Sequence, residues 1–230
     1  MHMAAPDRLE QTLAVIAELL EGEAAAGVTD PRAAQPALWG GEAAHVAGAV
    51  PARRATFAAG RAAARAALRT LGHPEAEIAM GRDRSPVWPR GLCGSIAHTS
   101  TLCAAVVSDR PLMLGIDLEE DTDLNPELLA TICSRDEIAR IEGPQMLRLA
   151  KLIFCAKEAA YKAQFPRSKE IFGFDHMEVR LDPSSGRFTA RFAKPVGPFA
   201  VGDVLPGRFA TVTGHLVTVV LAGQADREGA

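Results

Sequence analysis

From about residue 145 to 165, apolar residues return at helical spacing, with Met146, Leu149, Ile153 and Phe154 on one face. A long amphipathic helix is the strongest constraint this sequence places on its fold. Phe165-Pro166 is expected to close it, because the residue before a proline is pushed out of the α region. Lys157-Glu158 and Tyr161-Lys162 lie one turn apart, so Glu158 and Lys162 share a face as an i,i+4 pair. Alone, such a pair reads first as a solvated ion pair worth about 0.3–0.5 kcal/mol. A second acidic element upstream, Gly115-Ile-Asp-Leu-Glu119, gives it a further meaning.

Residues 112–118 form an apolar strand that ends on this acidic pair. Asp117 and Glu119 are two apart, so on extended backbone both leave from the same face. Solvated strand-end acids are one reading. The other is an oxygen-rich site for Mg²⁺ completed by Glu158, because that ion takes few protein carboxylates and keeps waters and substrate phosphates.

Upstream, residues 7–21 carry Leu9, Leu13, Ile16 and Leu20 at helical spacing, with Asp7 as N-cap. Residues 22–48, rich in Ala, Gly and Pro, read as loop with a short strand near 37–39. A second helix spans 51–71, opened by Pro51 and capped by Gly72, with Phe57, Ala64, Leu68 and Leu71 inward. Arg54, Arg61 and Arg65 line up beside that face, as a solvated stripe or as a phosphate cradle of guanidinium forks. Residues 81–86 are a turn cluster. Residues 93–99 and 102–108 are a strand pair with His98 at the connection, a structural or a catalytic position.

Residues 126–140 suggest a short helix, with Ser134-Arg-Asp-Glu137 capping another. Residues 176–181, 187–192 and 208–221 alternate like antiparallel strands, and 222–230 read as a loose tail. This order suggests an α+β chain of two similar halves joined near 110–114, with subdomains at 1–112 and 113–230.

Composition narrows the class. Twenty-five basic and 28 acidic residues leave a net charge of −3, which argues against a nucleic-acid partner, and the apolar runs are too short to span a bilayer. No basic-then-apolar leader stands at the start, and Met1-His2-Met3 is set aside as a cloning scar, so a cytoplasmic location is expected. The four cysteines are scattered, as free thiols in a reducing compartment would be.

Gly94-Ser-Ile-Ala-His-Thr99, Gly115-Ile-Asp-Leu-Glu119 and Phe154-Cys-Ala-Lys-Glu-Ala-Ala-Tyr-Lys162, in that order, resemble the 4′-phosphopantetheinyl transferases of the bacterial Sfp/EntD type. Arg53-Arg54-x-x-Phe57-x-x-Gly60-Arg61 and the Arg84-Ser-Pro86 turn add to the likeness, which covers about residues 50–175. The resemblance implies a pseudo-dimer of two α/β halves with CoA in the cleft between them. It implies Mg²⁺-dependent (or Mn²⁺-dependent) transfer of phosphopantetheine from CoA to a serine of an apo acyl, peptidyl or aryl carrier protein, releasing 3′,5′-ADP. Siderophore, polyketide, nonribosomal peptide or fatty-acid synthesis would be served. It further implies that Asp117, Glu119 and Glu158 hold the metal, with Glu158 taking the serine proton. Lys162 would act on the leaving phosphate. Lys157 and Lys162 would face the CoA phosphates, with Arg54, Arg61 and His98 around the 3′-phosphate and Arg84 near the nucleotide. Ala97 departs from the Ser or Thr common before the His. A duplicated fold needs no partner subunit, so a monomer is expected. A CoA sensor without chemistry and a metal-dependent phosphohydrolase are the rival readings.

Overall fold

Asp7 opens the first element of the computed structural model, which describes residues 7–223. Its carboxylate accepts the Glu10 N–H at 2.9 Å, and Glu10 accepts the Asp7 N–H in return, so a capping box launches α1, Arg8–Leu20. Replacing such a cap by alanine costs about 1 kcal/mol. Asp7→Ala should therefore lower the urea midpoint by that much stability with an unchanged slope, and an unmoved midpoint would show that the cap contributes nothing.

The chain divides into two compact units, residues 1–110 and 111–230. In the first, β1 (Ala25–Thr29) is followed by α2 (Gly40–Ala44), α3 (Pro51–Thr70) and two short paired strands, β2 (Ala79–Met80) and β3 (Pro86–Val87). The hairpin of β4 (Cys93–His98) and β5 (Cys103–Ser108) completes an antiparallel sheet in the order β1-β5-β4, and α3 packs on it. The loop expected over 22–48 is thus corrected. The strand lies at Ala25–Thr29, and the strand expected near 37–39 gives way to α2. Ala25-Ala-Gly-Val-Thr29 has only Val28 and Thr29 among the residues that favour strands, and small residues fill the rest of the strand against which α3 packs. A Cβ on Gly27 would stand 2.1 Å from the Ala63 carbonyl oxygen.

In the second unit, β6 (Met113–Glu120) leads through α4 (Leu129–Ile132) and α5 (Arg135–Arg140) to α6, Met146–Ser168. Four strands follow, β7 (Met177–Asp182), β8 (Arg187–Phe192), β9 (Val204–Val212) and β10 (His215–Ala222), in an antiparallel sheet ordered β6-β10-β9-β8-β7. The single strand expected over 208–221 is a hairpin, turning at Thr213 and Gly214 with φ of 48° and 77°, as a type I′ turn demands. Ser134 caps α5 with a reciprocal bond from Glu137, as its sequence predicts. Gly115 repeats the part of Gly27, since a Cβ there would lie 2.0 Å from the Ala159 carbonyl oxygen of α6.

Phe165-Pro166 does not end α6. The helix continues to Ser168, and Lys169, left-handed at φ 55°, stops it with an N–H bond to the Phe165 carbonyl at 2.9 Å. Pro166 stands in the final turn, where it removes only one helical bond, and the packing of α6 along β6 and β10 outweighs that loss.

Each unit buries one glutamate with one base. Glu42 meets Arg65 at 2.8 Å and accepts the Trp39 and Ile78 N–H groups, while Glu137 meets Lys157 at 2.8 Å and accepts those of Ser134 and Val179. All four cysteines are free, and burial pushes the Cys103 and Cys133 thiols up to about 12 and about 11, which keeps them inert. Among the described residues no helix is long and apolar enough to cross a membrane. Ala222 closes β10, whereas residues 1–3 and the tail from 224 lie outside the described residues.

Candidate active site

On β6, Asp117 and Glu119 project to one side, opposite Thr218 and Leu216 of β10. Across them α6 presents Lys151, Cys155, Glu158 and Lys162 at i, i+4, i+7 and i+11, a single helical stripe. Lys162 Nζ donates to Asp117 Oδ1 at 2.6 Å and to the Ile116 carbonyl at 3.2 Å. Lys151 forms an ion pair with Glu119. Beneath them, the Thr218 hydroxyl donates to the Cys155 carbonyl at 2.9 Å, and Cys155 Sγ lies 3.3 Å from Thr218 Oγ1.

The electrostatics follow from this packing. Burial raises the Glu158 carboxyl above the usual range, and the charges of Asp117 and Glu119 raise it further against the opposing pull of Lys162. The Glu158 carboxyl thus feels the charges of both Asp117 and Glu119. Burial works to lower the Lys162 ammonium, but Asp117 and Glu158 prevail and the net shift is upward, so it stays charged. Burial and the charge of Asp117 drive the Cys155 thiol well above its ordinary value, so it is no nucleophile.

Asp117 Oδ2 is buried without a hydrogen-bond partner, an arrangement that costs free energy unless a cation or donor completes it. Among the described residues no three acidic, imidazole or thiol side chains are grouped so as to hold a metal ion, and lysines pair with Asp117 and Glu119. The donor set is all carboxylate oxygen, which suits Mg²⁺ or Mn²⁺, and the orphaned Oδ2 is the atom such an ion would satisfy.

Beside Glu158 lies a cavity of about 120 Å³, bordered by Tyr161, Phe172, Phe174 and Met177. Tyr161 meets Phe172 edge-on at 5.2 Å, and Phe154 stands 5.6 Å from Phe174.

Two phosphate-contact expectations are corrected here. Lys157 does not face outward. Its side chain is 3% exposed, and its ammonium donates to the Ile132 carbonyl, to Glu137 and to the Phe174 carbonyl, at 2.7, 2.8 and 3.1 Å. A lysine beside Glu158 in sequence points about 100° away from it around the helix, toward the interior.

Nor do Arg54, Arg61 and Arg65 make an exposed stripe. Arg61 lies over Phe57 at 3.8 Å and donates to the Ile78 carbonyl at 2.9 Å, with burial pulling its guanidinium down to about 10. Arg65 is spent on Glu42. Only Arg54 is exposed, and two of its nitrogens bind the Ala47 and Ala49 carbonyls. His98 is exposed at the end of β4, its Nε2 3.4 Å from Arg53 Nη1. Arg84 stands exposed in the β2–β3 turn at φ 65°.

Lys151 and Thr218 were silent in the sequence. Lys151 could have been found from its place on the stripe of Glu158 and Lys162, whereas the position of Thr218 depends on strand register.

A mixed helix-and-sheet chain with clustered carboxylates and lysines on a helix against a strand falls in the class of α+β proteins with a polar helix–strand site. Family models narrow that class. The 4′-phosphopantetheinyl transferase N-terminal domain matches residues 41–108, and the 4′-phosphopantetheinyl transferase superfamily matches residues 113–212. The chain is 38% identical over 188 residues to 4′-phosphopantetheinyl transferase Svp of Streptomyces mobaraensis, covering 78% of this chain and 76% of that protein. It is 34% identical over 190 residues to 4′-phosphopantetheinyl transferase PptT of Mycobacterium tuberculosis, covering 78% and 84%. To enterobactin synthase component D of Escherichia coli it is 40% identical over 115 residues, covering 48% and 54%. The chain belongs to the 4′-phosphopantetheinyl transferases, enzymes that act on CoA and carrier proteins.

Proposed function

We propose that this transferase moves 4′-phosphopantetheine from CoA to a serine of an apo carrier protein, releases 3′,5′-ADP and depends on Mg²⁺. The observation that carries the reading is Asp117, with one oxygen buried and unpartnered and its charge felt at Glu158. The serine oxygen forms a bond to the β-phosphorus of CoA while the bond from that phosphorus to the bridging oxygen breaks. The electron pair leaves with 3′,5′-ADP.

Glu158, with its raised proton affinity, receives the serine proton. Lys162, kept charged by Asp117, stabilises the departing phosphate. Asp117, Glu119 and Glu158 would hold Mg²⁺, or Mn²⁺, which supplies positive charge for the pyrophosphate oxygens. Arg54 and His98 would bind the 3′-phosphate and Arg84 the nucleotide, exposed side chains with N–H donors matched to anionic groups. The pseudo-dimeric arrangement, a monomeric state and a cytoplasmic location belong to the same proposal. The likeness to enterobactin synthase component D favours carriers of siderophore and related assembly lines over those of fatty-acid synthesis.

Apo carrier proteins incubated with CoA and Mg²⁺ should each gain one phosphopantetheine on the acceptor serine by intact-mass spectrometry. No mass gain across siderophore, polyketide and fatty-acid carriers overturns the reading, and phosphate release from CoA without a carrier favours a hydrolase.

The metal assignment has its own readout. An ion that binds the folded chain raises its melting temperature by mass action. Millimolar Mg²⁺ should raise it in the wild type and leave Asp117→Asn unmoved. Equal shifts in both proteins would place the ion elsewhere.

A further inference from the structure

Lys157 takes no part in the stripe that faces Asp117 and Glu119, yet its ammonium has an acceptor for each of its three N–H donors. Glu137, fully buried, uses both carboxylate oxygens as well. Oε1 accepts the Val179 N–H at 2.6 Å, and Oε2 accepts the Ser134 N–H at 2.7 Å beside the ammonium. One ion pair thus fastens α6 to the end of α4, the start of α5, the turn at Phe174 and strand β7. A buried pair is an expensive tether, and a matched apolar pair often stabilises a fold as well or better. What an apolar pair lacks is direction, since it cannot hold particular carbonyls and N–H groups at fixed separations.

The segment held this way matters because of where it stands. Phe174, whose carbonyl Lys157 grips, borders the cavity next to Glu158 together with Phe172. Lys157 and Glu158 are adjacent in one rigid helix, so fixing Phe174 to Lys157 fixes the wall relative to the Glu158 carboxylate.

We propose that the Lys157–Glu137 pair is a positioning device for the transfer reaction, holding the 172–174 wall at a set distance from Glu158 so that a reacting group in the cavity meets the carboxylate in line. It rests on the transferase reading above. Neither residue touches substrate in this account, and Lys157 serves the reaction from inside the protein rather than by gripping a phosphate.

Wild type, Lys157→Met, Glu137→Gln and the double variant would be compared by kcat, by CoA affinity from calorimetry and by amide exchange across residues 172–179. A small displacement of a reacting group costs up to about 100-fold in rate. Each single variant should therefore lose about 10-fold or more in kcat, with CoA affinity within about 2-fold of wild type and faster exchange in that segment. The double variant should be no worse than the poorer single one, because both remove one shared device.

A 10-fold loss of CoA affinity in Lys157→Met alone, with Glu137→Gln like wild type, would restore the phosphate contact and overturn the proposal. Faster exchange with unchanged kcat overturns it too, by reducing the pair to a fold tether. Unchanged exchange would show that the pair does not hold the wall. If Lys157→Met fails to fold, Glu137→Gln, which keeps shape and one oxygen acceptor, decides by the same measurements. If wild type transfers nothing to any carrier, the transferase reading fails, while the exchange data still report whether the wall is held.

Discussion

Glu158→Gln is expected to lower phosphopantetheine transfer by about 1,000-fold while leaving the fold intact and, above the pH at which the Glu158 carboxyl ionises, more stable than wild type. Loss of a general base costs about 10²–10⁴ in rate, and glutamine keeps the shape while giving up proton affinity and charge. The stability gain follows from the sign of the shift. The folded chain raises the Glu158 carboxyl above its ordinary value, so folded protein holds that proton more tightly than unfolded protein does. The stabilising contribution is complete below the ordinary glutamate range and is lost as pH rises through the raised value. Above that value the wild type carries an ionised carboxylate that burial and two acidic neighbours disfavour, and the variant does not. Chelator-treated wild type should therefore lose stability on passing that pH window, and Glu158→Gln should show a flatter profile. Urea midpoints at a series of pH values, with transfer measured by carrier mass, check both halves. Near-wild-type turnover would remove Glu158 from the chemistry, and identical pH profiles would remove the strain.

Gly115→Ala should cost about 3 kcal/mol, at the upper end of the usual range for overpacking. The added carbon would lie 2.0 Å from the Ala159 carbonyl oxygen and 2.9 Å from the Ala163 nitrogen, both backbone atoms of α6 that cannot rotate away. Relief requires the helix to lift off β6, and the shift would carry Lys151, Glu158 and Lys162 away from Glu119 and Asp117. Activity should fall with stability, and it should not recover at low temperature where the variant is folded. Gly48→Ala is the control. Nothing lies within 4 Å of its added carbon, so it should be close to neutral. A urea midpoint for Gly115→Ala equal to that of the control would mean that α6 and β6 do not need this approach.

Much of this chain could be read before its fold was known, for local reasons. An N-cap at Asp7, an apolar stripe over 145–165 and a Ser134-to-Glu137 cap depend on residues a turn or so apart, and the structure forms each of them. The acidic pair on β6 and the glutamate on α6 were legible for the same reason, since period and residue type place them on faces.

The rest depended on partners distant in sequence. Ala25–Thr29 looks like loop until α3 presses on Gly27. Lys157 looks like a phosphate ligand until Glu137, 20 positions away, turns it inward. Arg61 and Arg65 look like an exposed stripe until Ile78 and Glu42 take them. Sequence alone determined that Asp117 and Glu119 share a strand face and that Glu158 and Lys162 share a helix face, because periodicity and capping are set by near neighbours. Only tertiary structure decided which charges are spent holding the molecule together and which remain for a ligand, because burial and pairing are settled by contacts across the chain.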